Sequence, residues 1–136
     1  MAKSTLFAYV QGTDLEGVAE TLEARLDALV AERTWIAKDV WVVNQQFPLE
    51  AGAKLGELPE WDLGLNLALA AKRTRPTAWV EDVVAIANTF GALNRETGRK
   101  FVIGIHDEKA NTVKDLFFID SEQPDVEKLR TALTAG

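Results

Sequence analysis

Cysteine is missing from this 136-residue sequence. The chain therefore has no disulfide framework, no thiolate nucleophile and no cysteine-ligated zinc. Histidine is nearly missing too, with His106 alone. Multi-histidine metal sites are excluded, and a serine–histidine triad has little material, because Ser4 and Ser121 lie in no nucleophile motif. P-loop, G-x-G-x-x-G, H-E-x-x-H and G-x-S-x-G patterns are lacking. These absences predict no catalytic residue, no metal and no cofactor. Basic charge is also short: 15 Lys and Arg face 21 Asp and Glu, a net charge of −6. Bulk electrostatics then disfavour a nucleic-acid partner. No apolar run approaches a membrane span, and residues 1–10 are too short for a signal peptide. The expectation is a cytoplasmic protein without a membrane partner.

What is present is an ordinary globular balance of 47% hydrophobic and 26% charged residues. It suits one domain over 1–136 with a sizeable core. The clearest strand signal is 61–69, Trp-Asp-Leu-Gly-Leu-Asn-Leu-Ala-Leu. Its odd positions are bulky and apolar, and its even positions are small or polar. Side chains alternate faces along a strand, so one face is a core row and the other is slight.

Around that strand the chain reads in order. A short strand covers 6–10. Thr13 and Glu16 fit a capping box, and apolar residues at helical spacing predict a helix over about 14–32. A strand follows over 35–45, rich in Trp, Ile and Val. Segment 46–60 holds Pro48, Gly52, Gly56 and Pro59 and reads as a long connection. Beyond 61–69, Thr77 is a plausible N-cap for a second helix, with Glu81 and Asp82 at its positive end and Gly98 at its close. Strands over 101–106 and 113–119 form a hairpin, and a last helix runs over about 124–135.

The predicted order is β-α-β-β-α-β-β-α. Its first six elements resemble the split βαβ pattern of a ferredoxin-like sandwich. The resemblance implies an α+β fold with a mainly antiparallel sheet and helices on one face, extended by a C-terminal hairpin strand and helix. It is a likeness of topology and implies no particular function.

Four sets of residues could carry function. His106-Asp107-Glu108 ends a strand, and a histidine beside carboxylates can serve as a base near neutral pH. Neighbours in a strand point to opposite faces, however, so His106 and Asp107 do not converge unless the turn begins there. Glu16, Glu20, Glu23 and Asp27 form an acidic stripe opposite the apolar face of the first helix. Such a strip can steer a basic protein partner, with Trp41 or Trp61 as anchors. Arg73 and Arg75, with Lys72, precede a helix N-terminus and could hold an anion. Lastly, Gly64 and Asn66 share a face of one strand, and Gly104 and His106 a face of another. If helices cover the leucine row, this opposite face is open to a ligand, a second copy or segment 46–60. The tryptophans at 35, 41, 61 and 79 read as core and boundary residues.

The leading expectation is a small acidic, non-enzymatic protein-binding module. An inhibitor or immunity-type partner of a basic protein fits its size and charge. The alternative is a ligand-binding domain or enzyme using the open sheet face around Asn66 and His106. A homo-oligomer built by pairing such faces is a third arrangement.

Overall fold

Alternation along Trp61–Leu69 decides the architecture. The structure, a computed structural model, describes residues 4–12, 15–37, 39–46, 61–69, 78–107 and 112–134. Its elements are β1 (Ser4–Val10), α1 (Ala19–Glu32), β2 (Val40–Gln46), β3 (Trp61–Leu69), α2 (Trp79–Thr97), β4 (Phe101–Asp107), β5 (Thr112–Ile119) and α3 (Val126–Thr134). This is the β-α-β-β-α-β-β-α order predicted from the sequence. The strands form one antiparallel sheet in the order β2-β3-β1-β4-β5.

Register brings the apolar rows together. Leu6 lies opposite Leu67 and Ile105, Ala8 opposite Leu65 and Ile103, and Val10 opposite Phe101. Val40 and Val42 of β2 pair with Leu67 and Leu65. On β5, Phe117 and Ile119 extend the row beyond Ile103 and Phe101, past a register shift between Ile103 and Gly104. One cluster of buried residues joins this face to Leu22 and Leu26 of α1, to Val83, Ile86 and Phe90 of α2, and to Leu129 and Leu133 of α3. Phe90 stacks on Phe101 with ring centroids 4.2 Å apart. All three helices thus cover the same side of the sheet.

The helix ends show which local signals act. Gly98 closes α2 with φ 72°, and its N–H donates to Asn94 O at 2.8 Å. A left-handed residue there is easiest for glycine. Asp125, just before α3, caps it: its Oδ1 accepts from Lys128 N at 3.1 Å. The predicted N-cap Thr77, the Thr13 half of the capping box and most of segment 46–60 lie outside the described residues. The first helix begins at Ala19, not near 14; Leu15 O receives Val18 N and Ala19 N, making a turn before the helix proper.

The largest departure is at 35–37 and 39, predicted as strand. Pairing begins only at Val40, and 35–37 carries no strand. Asp82 on the first turn of α2 draws this segment away from the sheet. It is fully buried, and it is the one buried charged side chain among the described residues. Its carboxylate accepts from Ile36 N at 3.0 Å, Ala37 N at 2.7 Å and Arg33 Nη2 at 3.1 Å. Trp35 turns back to donate from Nε1 to Val30 O at 3.1 Å, with the Arg33 guanidinium 5.4 Å from its ring centroid. Strand propensity lost here because a buried carboxylate needs donors, and two backbone N–H groups supply them.

Candidate functional site

The side of the sheet away from the helices carries the slight residues of β3 and their neighbours. Rows can be read straight across it from the register. The central row is Trp41, Asn66, Phe7, Gly104 and Asp115. One neighbouring row is Val43, Gly64, Tyr9, Val102 and Phe118, and the other contains Ala68, Thr5, His106 and Val113.

Two glycines make this pattern possible. A Cβ on Gly64 would run into Ala8 O and the Tyr9 side chain, and a Cβ on Gly104 would run into the Phe7 ring and Lys114 O. The rings of β1 therefore splay apart, Tyr9 over β3 and Phe7 over β4, with centroids 5.3 Å apart. The sequence reading had a close approach at these glycines, and the structure has one. Neighbouring backbone and the chain's own Phe7 and Tyr9 lie against them.

The Tyr9 hydroxyl donates to Asn66 Oδ1 at 2.7 Å. Partial burial raises the phenol pKa above its ordinary 10.0, and the negative charge of Asp62 adds to the rise. Above the rings lies a trough of about 540 Å³. Phe7, Tyr9 and Trp41 give it aromatic surface, while Asn66, His106 and Thr5 add polar groups. Asp62 on β3 and Asp115 on β5 bring carboxylates from strands separated by β1 and β4. The volume lies within the range of small-molecule pockets, roughly 300–1,000 Å³.

Of the residues singled out in the sequence, Asn66 and His106 meet in this trough, and Trp41 joins them. Asp107 has the opposite parity to His106 along β4, so this pair does not converge; Glu108 lies outside the described residues. Arg73 and Arg75 lie outside them as well. Glu16, Glu20 and Asp27 are exposed. Glu23 is tied into the fold: it accepts from Asn44 Nδ2 at 2.6 Å, and Asn44 Oδ1 in turn accepts from Trp61 Nε1 at 2.7 Å. That chain stitches α1 to β2 and β3.

Trp61 therefore packs on the helix side with α1, whereas Trp41, 41% exposed, stands on the opposite side. Trp35 and Trp61 are partly buried against the core, and Trp79 is buried in it. The acidic stripe and Trp41 do not share a surface.

Phe7, Tyr9, Asp62 and Asp115 were missed as site residues. Their signal was the alternation of β1, where Phe7 and Tyr9 interleave with Leu6, Ala8 and Val10. Among the described residues, no three Asp, Glu or His side chains converge to hold a metal ion. No helix among them is long and apolar enough to cross a membrane. No protein-family model, curated protein or solved structure matches this chain.

Proposed function

We propose that the open sheet face binds a small organic molecule, in the trough between Trp41, Tyr9 and His106. One observation carries this reading: Asn66 and His106, from strands on either side of β1, line a single aromatic-floored cavity. Ligand sites combine apolar walls with a few placed polar groups, and this face has both. A second space of about 430 Å³ lies beside β5 and α3, but its lining comes from the single stretch 116–128, whereas the trough draws residues from all five strands. We read the first six elements as a ferredoxin-like sandwich. Support comes from β3 lying between β1 and β2, with β4 on the other flank of β1. On this reading β5 and α3 are an extension, and β5 adds the far wall of the trough.

The test is a small-molecule screen followed by backbone amide NMR. Ligands should shift the amides of Tyr9, Asn66 and His106 and the Trp41 indole together. Hits that move only helix-side signals would remove the site. Movement of the same amides on raising protein concentration alone would replace the ligand with a second copy of the chain.

A protein-binding role for α1 is a second reading, favoured by the exposure of Glu20 and Asp27 on its outer side. Binding of a basic partner there should weaken with salt and survive loss of Trp41.

A further inference from the structure

We infer that the ligand of the open face is an aromatic carbonyl compound, whose ring lies on the aromatic surface and whose carbonyl oxygen accepts from Asn66 Nδ2. The inference rests on the ligand-binding reading above and adds the chemical class.

The arrangement begins at Gly64. It lies opposite Tyr9 in the pairing of β1 with β3. A Cβ on it would stand 2.8 Å from Tyr9 Cδ1. With no side chain there, the phenol lies across β3 and reaches Asn66, the next residue on the same face. Its hydroxyl donates to Asn66 Oδ1 at 2.7 Å. The raised pKa of Tyr9 keeps that hydroxyl protonated at neutral pH, and so a donor. Turning the amide over would break this bond. Asn66 therefore holds its oxygen toward Tyr9 and turns the two N–H donors of Nδ2 away from it.

The neighbours of that amide are aromatic. Asn66 is partly buried, and it stands in the central row between Trp41 of β2 and Phe7 of β1. All three side chains line the trough. Adjacent strands are about 4.8 Å apart, so an aryl ring seated against either aromatic side chain carries its substituent to the amide. A carbonyl one bond off the ring meets N–H donors there. An aromatic ligand without an acceptor would cover the same amide, exclude water from it and leave its N–H groups unanswered, which weakens binding. His106 can give or take a hydrogen bond and discriminates less. The class is set at the one amide in the trough whose orientation a directed bond fixes.

Acetophenone and α-methylstyrene, which differ in C=O against C=CH2, test this. Each is titrated into the full chain. The Tyr9, Asn66 and His106 backbone amides report occupancy, and the Asn66 side-chain NH2 signals report the bond. Acetophenone should bind about fivefold more tightly, a difference of about 1 kcal/mol, and should move the side-chain NH2 signals downfield. Tyr9→Phe frees the amide to turn, and Asn66→Leu removes it. Each should bring the ratio toward one while α-methylstyrene still moves the remaining backbone amides, which shows that the site is formed.

Equal or tighter binding of α-methylstyrene to the unsubstituted chain would overturn the carbonyl and leave the ligand site standing. A ketone preference that both substitutions leave unchanged would overturn it as well, because another donor would then hold the oxygen. If neither probe moves these amides, the carbonyl and the site both fall.

Discussion

Leu65 and Asn66 are neighbours on β3, yet they live under different rules. Leu65 is fully buried between Ala8 and Val42, in a row that runs into all three helices. Asn66 sits between Phe7 and Trp41 and is fixed by one directed bond from Tyr9. The helix side of the sheet is specified by volume, with many weak contacts, so several apolar residues could fill a given position. The open side is specified by pairs: Gly64 with Tyr9, Gly104 with Phe7, Tyr9 with Asn66. Stability is concentrated on the first side, and the proposed ligand site lies on the second. Asp82 and Asp115 repeat the contrast in carboxylates. One is enclosed and receives backbone and guanidinium donors; the other is exposed and lines the trough.

Asp82→Ala should give the largest effect. It strands two backbone N–H groups and the Arg33 guanidinium, and a loss of about 3–5 kcal/mol is expected in urea unfolding. A loss under about 1 kcal/mol would mean that the 33–37 segment is held by Trp35 packing instead.

Leu65→Ala should cost about 2–5 kcal/mol through the cavity it leaves, whereas Asn66→Ala should cost about 1 kcal/mol. Equal losses would erase the distinction between the two faces.

Gly64→Ala should cost about 1–3 kcal/mol by overpacking against Ala8 O and Tyr9. Tyr9→Ala made together with it should recover part of that loss, since the ring is one of the two obstacles. Full additivity of the two losses would show that the glycine serves only the backbone approach.

The smallest effect is on pH dependence. The Tyr9 pKa is raised in the fold, so the folded state holds this proton more tightly than the unfolded chain. The stabilisation is fully present below the unfolded value, near 10.0, and is lost as pH rises through the higher folded value. Thermal melts across that window should show the native chain losing stability faster than Tyr9→Phe. Tyr9 is the sole tyrosine, so phenolate absorbance reports it directly. A midpoint at or below 10.0 would contradict the burial of this ring.

Much of the fold was legible because it rests on local periodicity. The leucine row of β3, the spacing of α2 and the glycine at its end are statements about neighbours in the chain, and the structure agrees with each. The open face was legible as far as Asn66 and His106, since each strand displays its own alternation. Their shared cavity was not, because it depends on β1 lying between β3 and β4. Phe7 and Tyr9 were passed over for the same reason: an aromatic residue in a short strand has no address until its partners are known. Residues 35–37 were misread because β propensity is a weak preference, and a buried carboxylate 46 residues away outweighed it at Ile36.

By itself, then, the order of residues determined which positions are apolar, the succession of helices and strands, and that the face of β3 away from its leucines would be slight and polar. Tertiary structure alone decided which slight residues face one another, that two aromatic rings lie across the glycines, and that Asp82 belongs to the interior. The reason is physical. Periodicity is written within a single element, where each residue's direction follows from its neighbours. A cavity or a buried ion pair joins residues far apart in the chain, and its energy exists only once strand order and register have brought them together.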